Sequence, residues 1–343
     1  MQGQVETELA EHRLGPTTIK AMIKLGFTYG HYSGHGGEMF DSVLAQARAA
    51  EEAGFDSIWV PDHLMQAPAV APVEDPMLEC YTTLGALAVA TSRVRLGAFV
   101  GCPAYRSAAL LGKIVTTLDV ASHGRAIFGI GAGWYKREHL AYGFEELGHH
   151  GERFERMVET IEIVRSMFVN DTTTFHGKHF RAEAALNSPK PVQSGGPPIL
   201  IAGTGQKRTL RLVAEHADIC NVLGSPEMVR HLMDTLDRHC EDVGRDPSSV
   251  CRTVTSMVIV RDSEQEAEAA MPAVFRDNPS PLRPVAGTPG QVVEMLRRLL
   301  EAGADGLILS CVQGDGTPQY IATLAELAAA ARDAVEGAGR RVI

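Results

Sequence analysis

The chain has 343 residues, of which 45% are hydrophobic and 22% charged, and its formal net charge is -10. This composition is typical of a globular protein with a sizeable hydrophobic core. The negative charge, without a sustained run of lysine or arginine, argues against general binding of nucleic acid.

Cysteine spacing and the N-terminal sequence predict the compartment. The six cysteines contain no CxxC pair, which favours neither a zinc module nor a disulfide framework, so we expect reduced and mostly buried thiols. Residues 1–21 lack the apolar region of a signal peptide, and no stretch approaches the roughly 18 apolar residues of a membrane span. We expect a cytoplasmic protein without a membrane or nucleic-acid partner. Residues 1–21 are predicted to be a poorly ordered extension and residues 22–343 a single domain.

Eight short apolar segments recur along the chain, each bounded by turn residues. They lie at residues 23–27, 57–60, 94–100, 126–130, 199–202, 218–222, 254–260 and 307–310. Segments of this length that are apolar on both faces are typical of parallel strands covered by helices. Eight of them predict the α/β class and a closed (βα)8 TIM barrel.

The segments between the strands have helical periodicity, most clearly over residues 152–168. Residues 52–56 and 301–305 share a helix stop in which Gly54 and Gly303 supply a left-handed cap. Residues 171–197 and 271–290 depart from the alternation, as irregular insertions after the fourth and seventh strands. We interpret each either as a lid or active-site wall or, equally, as a passive surface loop.

In a barrel of this kind the active site lies at the C-terminal ends of the strands. The second strand ends in Asp62 and His63, and the imidazole is suited to proton transfer near neutral pH. A packing role in the barrel mouth would explain this histidine equally well. The third strand ends in a glycine-rich turn, which is typical either of close approach to a ligand or of an ordinary connection.

Glycine-rich turns also follow the fourth and fifth strands. The turn at residues 129–134 is not a dinucleotide fingerprint, because Trp134 stands where the third glycine is needed, and it suits a wall for a planar ring or close helix packing. The turn at residues 203–206 opens a predicted helix whose N–H groups favour a phosphate, unless it is only a helix start. No HExxH or GxSxG motif is present, so we expect no metal site and no serine hydrolase.

Longer stretches match one family in order and in register. They are residues 53–63, 74–79, 81–84, 91–97, 118–120, 124–125, 131–134, 287–289 and 302–306. In these stretches the chain resembles the luciferase-like monooxygenase superfamily, particularly its F420-dependent oxidoreductase branch, from about residue 22 to about residue 335. The resemblance implies a luciferase-like TIM barrel that holds the deazaflavin coenzyme F420, or alternatively FMN, at its strand ends.

The resemblance also assigns roles to individual residues. It implies that His63 is the acid/base, that Asp62 orients it, and that a cis peptide at Phe99-Val100 lies behind the cofactor ring. The other cofactor-binding residues that it implies are Gly131, Ala132, Gly133 and Trp134 beside the ring and Gly203, Thr204, Gly205 and Gln206 at the phosphate.

The departures from the family concern the substrate. Sugar-phosphate dehydrogenases of this branch have an acidic residue where Trp134 stands and an aromatic residue where Ala67 stands. No catalytic acid is therefore expected from these positions, and a sugar phosphate is disfavoured. The residues expected to shape the pocket for a small-molecule substrate are Tyr29, His31, Glu79 and Tyr105.

Three functional hypotheses follow. The first is hydride transfer between F420 and a small organic substrate. The second is an FMN-dependent monooxygenase that uses FMNH2 and oxygen. Under either hypothesis a separate flavin or F420 reductase is expected as the partner that supplies the reduced cofactor. The third is a flavin-binding or deazaflavin-binding barrel without catalytic activity. The resemblance also implies a homodimer.

Overall fold

A computed structural model describes residues 19–20, 23–32, 34–68, 70–144, 148–276, 283–312 and 314–338. The strands, numbered in chain order, are β1 (Leu25–Thr28), β2 (Ser57–Val60), β3 (Arg95–Ala98), β4 (Ala126–Ile130), β5 (Thr172–His176), β6 (Arg181–Leu186), β7 (Ile199–Ala202), β8 (Ile219–Val222), β9 (Cys251–Val260), β10 (Val285–Gly287) and β11 (Gly306–Cys311). Eight of them pair in parallel in the cyclic order β1-β2-β3-β4-β7-β8-β9-β11. The predicted TIM barrel is confirmed.

Helices cover the outside of this barrel. They are α1 (Gly37–Glu52), α2 (Cys80–Ala90), α3 (Ala108–Ala121), α4 (Lys136–Ala141), α5 (His150–Val169), α6 (Thr209–His216), α7 (Pro226–Asp242), α8 (Glu264–Ala269), α9 (Ala273–Arg276), α10 (Pro289–Glu301) and α11 (Pro318–Gly337). The periodic segment predicted over residues 152–168 is α5, which buries Met157, Ile161 and Val164 against the core. In the described part of the chain, no helix has the length and hydropathy that crossing a membrane requires.

The inside of the barrel is filled by a large side chain between two glycines. The Trp59 indole is fully buried, and a Cβ atom added at Gly26 or Gly97 would lie 2.7 or 2.6 Å from its atoms. Aliphatic side chains of other strands, including Ile127 and Leu200, complete this interior cluster. Glycine is therefore needed on both sides of the indole, and the packed interior forms a floor beneath the strand ends.

The connections from helices to strands, at the N-terminal end of the barrel, share the same local structure. Gly54 and Gly303 have φ angles of 91° and 109°, which confirms the predicted left-handed caps. The aspartates that follow, Asp56 and Asp305, accept backbone N–H bonds of 2.8–2.9 Å from neighbouring strands, as Asp218 does at 2.8 Å. These carboxylates tie the starts of adjacent strands together.

The two insertions are more regular than predicted. Residues 171–197 contain the antiparallel hairpin β5–β6, so the expectation of an irregular segment is wrong there. Its strands are largely exposed and lack the continuous buried apolar run of the barrel strands, and hydropathy therefore does not distinguish them from a loop. In the second insertion β10 pairs with the end of β9, whereas residues 277–282 lie outside the described residues.

Most of the predicted N-terminal extension also lies outside the described residues, which include only positions 19 and 20 of it. Ile19 is buried against the barrel interior, and Lys20 Nζ lies 3.2 Å from Asp305 Oδ1. The order of residues 1–18 stays a prediction.

Candidate active site

The sequence motifs singled out above meet on one side of the barrel mouth. β2, β3, β4 and β7 are consecutive in the barrel, so the segments that follow them are neighbours. Their C-terminal ends carry His63, the Phe99-Val100 peptide, Trp134 and Gly203 in that order. Because active sites of TIM barrels lie at this end, we treat this region as the candidate active site.

The central feature is a buried carboxylate that receives four hydrogen bonds. Glu138, on α4, is fully buried, and its Oε2 lies 3.0 Å from Nδ1 of His63. The same oxygen accepts a hydrogen bond from the hydroxyl of Tyr105. The other oxygen, Oε1, accepts bonds from the backbone N–H groups of Leu64 and Met65, the latter at 2.9 Å. Glu138 therefore fixes both the His63 ring and the backbone that follows it.

These contacts determine which ring nitrogen of His63 carries a proton. Burial raises the pKa of Glu138, but the hydrogen bonds from His63 and Tyr105 outweigh it, and the net pKa lies below its ordinary value. An ionised carboxylate only accepts hydrogen bonds, so Nδ1 of His63 carries a proton. Nε2 makes no hydrogen bond to any residue that the structure describes, and the side chain is 24% exposed. Nε2 is therefore the atom available for proton exchange.

An aromatic wall stands beside His63. The centroid of the Trp134 side chain lies 5.6 Å from that of His63, edge to face, and it stacks on Tyr135 at 5.1 Å. Trp134 is 54% exposed, which is high for a large aromatic side chain. Arg153 donates a 2.7 Å bond to the carbonyl of Gly133 and so holds the turn that presents this wall.

Asp62 does not orient His63, contrary to the prediction. It forms a bidentate ion pair with Arg106, at 2.8 and 3.0 Å, and accepts a 3.1 Å bond from the N–H of Cys102. Arg106 also contacts Glu79 at 2.5 Å. Asp62 thus anchors the segment after β3 to the end of β2, and orientation of the imidazole falls to Glu138.

Burial and pairing act in opposite directions on this ion pair. Burial raises the pKa of Asp62, and the bonds from Arg106 offset part of that rise. Burial lowers the pKa of Arg106, but its bonds to Asp62 and Glu79 outweigh this and raise it. Arg106 therefore stays charged, and the cluster is suited to positioning rather than to proton transfer.

The segments after β3 and β4 touch through their backbones. The peptide between Phe99 and Val100 is cis, as predicted. Gly101 N–H donates to the carbonyl of Gly129, and Gly131 N–H donates to the carbonyl of Gly101, both at 3.0 Å. A Cβ atom at Gly129 would lie 2.0 Å from a carbonyl oxygen of β3, and one at Gly131 would lie 2.7 Å from the Val100 side chain. The predicted glycines therefore allow contact between the two segments, with Ala132 partly buried against the core.

The turn after β7 presents free backbone donors. Gly203 has a φ of 140°, and its N–H donates to the carbonyl of Asn221 at 3.0 Å. The next three residues, from Thr204 on, are exposed, and their N–H groups donate to no acceptor among the described residues. The helix α6 follows this turn and begins at Thr209, three residues after Gln206. The donors here belong to the turn itself.

Three of the predicted residues have side-chain contacts that do not support a role in this site. The Gln206 amide oxygen lies 3.2 Å from Nε2 of His231 on α7. Tyr29 is buried, and its hydroxyl donates to the carbonyl of Val43, so it does not offer that hydroxyl to a substrate. Burial lowers the pKa of His31, whose Nδ1 is buried with no hydrogen-bond partner in the described chain. Its place in a substrate pocket stays a prediction.

Glu138 and Arg106 were not predicted from the sequence. Glu138 stands four residues after Trp134, where we expected no catalytic acid, and the short helix α4 turns it back toward His63. The sequence did contain one indication of Arg106. Asp62 directly follows an apolar strand, and a carboxylate buried there requires a cation or several hydrogen-bond donors nearby.

Metal ligation has no basis in the described residues, where no group of three or more His, Cys, Asp or Glu side chains is arranged to hold an ion. All six cysteines are free and buried, as predicted.

The histidine–carboxylate pair and the free backbone donors thus lie at the strand ends of a closed barrel, which is where TIM-barrel enzymes have their active sites. The family described as luciferase-like monooxygenase matches residues 22–284, and the chain belongs to this family. The resemblance to this family and the prediction that the chain is an oxidoreductase are confirmed.

The individual relatives include both F420-dependent dehydrogenases and a monooxygenase. The chain is 26% identical over 282 residues to an F420-dependent hydroxymycolic acid dehydrogenase of Mycobacterium tuberculosis, covering 80% of this chain and 75% of that protein. It is 28% identical over 201 residues to the pyrimidine monooxygenase RutA of Acinetobacter baylyi, covering 57% and 52%. A solved F420-dependent secondary alcohol dehydrogenase, in complex with an F420-acetone adduct, shares the fold with a TM-score of 0.74 at 20% identity, covering 91% of this chain and 99% of that chain.

Proposed function

We propose that this protein is an F420-dependent oxidoreductase that transfers a hydride between the deazaflavin cofactor and a small organic substrate. The observation that carries the proposal is the His63–Glu138 pair, which leaves Nε2 of His63 without a partner in the described chain, on the same side of the mouth as the free N–H groups of residues 204–206. One group is suited to move a proton and the other to bind an anion.

The residues present fit a cofactor with a phosphate and a planar ring. The N–H groups of Thr204 and Gly205 are exposed and have no acceptor in the described chain, which suits a phosphate. The backbone at Phe99-Val100 and the exposed side chain of Trp134 would hold the ring. When bound, F420 supplies the carbon that accepts or donates the hydride.

The protein's own part in the reaction is proton transfer and orientation. His63 takes up or releases the accompanying proton at Nε2, because Nδ1 is bonded to Glu138. The carboxylate stabilises the imidazolium that forms when Nε2 is protonated. Tyr105 and the backbone N–H groups after His63 hold Glu138 in place, so the imidazole keeps one orientation throughout.

F420 is preferred over FMN because the F420-dependent hydroxymycolic acid dehydrogenase matches 80% of this chain, whereas the pyrimidine monooxygenase matches 57%. An FMN-dependent monooxygenase is the second candidate, favoured by the similarity to a pyrimidine monooxygenase. A barrel without catalysis does not account for a fully buried carboxylate held against a histidine. The homodimer, the separate reductase and the cytoplasmic location stay predictions.

Placing a negative charge in the glycine turn tests the proposed phosphate site. We expect Thr204→Glu to weaken F420 binding by about tenfold or more, since the new carboxylate repels the phosphate. Thr172→Glu, which adds the same charge to the exposed hairpin strand β5, is the matched control. Equal affinity of both variants, measured by fluorescence titration, would remove the turn from the cofactor site.

A further inference from the structure

A second large feature of the barrel mouth is a cavity of about 940 Å³. Its lining comes from β9, β10 and β11, from the segment after β8, and from the helices α7, α8, α9 and α10, with Val70 from the segment after β2. In the cyclic strand order, β8, β9 and β11 are directly opposite β2, β3 and β4. The cavity therefore faces the His63 side across the mouth.

The cavity wall is mainly apolar and adaptable. Its lining includes four methionines, Met228, Met257, Met271 and Met295, together with the aromatic ring of Phe275. Methionine side chains are flexible and polarizable, so they fit apolar ligands of varied shape. Burial of apolar surface is thus the main favourable term that this cavity offers to a ligand.

The barrel strands contribute three hydroxyl groups to the cavity lining. Thr255, Ser256 and Ser310 line the cavity from the strands β9 and β11. The Thr255 hydroxyl donates to Oδ1 of the buried Asn221 at 3.1 Å, which leaves its oxygen free to accept. Hydroxyl groups satisfy carbonyl or hydroxyl oxygens of a ligand without neutralising a charge.

The charged residues of the lining are already paired. Arg283 lies 3.0 Å from Glu268, across the cavity rim. Arg298 lies 2.6 Å from a carboxylate of α7, and Glu294 lies 2.6 Å from the neighbouring Arg297. Among the described lining residues, every charge thus has a partner. A charged ligand would lose hydration there without gaining a counter-ion.

We propose that this cavity holds the body of the substrate, and that the substrate is a neutral, mainly apolar molecule whose few polar atoms are hydroxyl or carbonyl oxygens. This inference rests on the proposed function, since it places the cavity opposite the proton-transferring histidine. It argues against phosphorylated and carboxylate substrates, because Arg283 and Arg298, the cations of the described lining, already have carboxylate partners.

Direct binding of two matched probes tests the inference. We would titrate the protein with 2-octanone and with octanoate, which have the same chain length and differ in charge, and measure binding by calorimetry. The neutral ketone should bind saturably and about tenfold or more tightly than octanoate, because the carboxylate has no partner in the cavity. Equal or tighter binding of octanoate, or no saturable binding of the ketone, overturns the proposal.

A cavity-filling variant locates the binding. Ala286 lines the cavity from β10, and Ala286→Trp should weaken ketone binding about tenfold or more. Val89→Trp adds the same ring on α2, where Val89 is 79% exposed, and should leave ketone affinity unchanged. Unchanged binding in folded Ala286→Trp overturns the assignment, and the preference of the unmodified protein for ketone over octanoate remains a test if that variant fails to fold.

A separate F420 titration distinguishes the two proposals. Binding of F420 together with a failed probe pattern would contradict only the cavity inference. The expected probe pattern without F420 binding would contradict the proposed function and leave a neutral-ligand cavity in place.

Discussion

Replacement of Glu138 by glutamine isolates the charge at the centre of the candidate site. The substitution keeps the size and shape of a side chain that is fully buried. The amide oxygen can still accept the backbone N–H groups of Leu64 and Met65. The amide nitrogen, however, replaces Oε2 and places a donor opposite the donors of His63 and Tyr105.

The magnitude follows from the two bonds that change. A hydrogen bond to a charged group contributes about 1.5–3 kcal/mol, and two of them are lost. Rotation of the tyrosine hydroxyl and a change of the histidine tautomer recover part of this, because both groups can present an acceptor instead. We expect a loss of about 2–4 kcal/mol in the free energy of unfolding at neutral pH.

The loss should depend on pH with a defined sign. The pKa of Glu138 is lowered in the folded protein, so its contribution to stability is complete above the unfolded value of about 4.3. As the pH falls through the lower folded value, the carboxylate of the unmodified protein is protonated and the contribution disappears. The difference between the two proteins should therefore be full at about pH 5 and shrink below about pH 4.

Urea unfolding at these pH values measures the effect. Glu241→Gln, at an exposed position on α7, is the control and should change the free energy of unfolding by less than about 0.5 kcal/mol. A loss below about 1 kcal/mol for Glu138→Gln at about pH 5, or a loss that stays the same from about pH 5 down to about pH 3, would show that an ionised Glu138 does not hold the site together.

Further predictions concern the neighbouring groups. Arg106→Leu should destabilise the protein by about 3–5 kcal/mol, since Asp62 is left buried without its cation, and a melting temperature near that of the unmodified protein would refute this. Gly129→Ala should cost about 1–3 kcal/mol because the added methyl would lie 2.0 Å from a carbonyl oxygen of β3. Gly85→Ala, with open space on α2, should instead be neutral or stabilising in the same melts. With any substrate that the protein converts, His63→Ala should abolish turnover and leave F420 affinity nearly unchanged, and full residual activity would exclude His63 from the mechanism.

The barrel could be predicted because its strands are buried on both faces. The segments predicted at 57–60, 126–130 and 199–202 are strands with those bounds, and their residues are almost all buried. β9 begins at Cys251, three residues before the prediction, because backbone pairing with β8 includes Arg252 and Thr253, which hydropathy does not mark as strand. The exposed hairpin β5–β6 escaped prediction for the same reason.

The site could be predicted only in part. His63 could be predicted because it follows a strand, and Gly54 and Gly303 because each ends a helix. Both features depend only on local sequence. The partner of His63 lies 75 residues further along the chain, on a helix of six residues with little periodicity. Which carboxylate meets the imidazole, and that Arg106 rather than His63 meets Asp62, are results of tertiary packing, which one sequence without its fold does not specify.

The most direct test of the central claim is titration of the purified protein with F420 and with FMN, each oxidised and reduced, while oxygen uptake is recorded. We predict saturable binding of F420 and, with either reduced cofactor, no oxygen uptake beyond that of the same cofactor in buffer, because free FMNH2 reacts with oxygen without a protein. Oxygen uptake that requires both FMNH2 and a substrate in the presence of the protein, together with no binding of F420, would contradict the proposed function and identify a monooxygenase.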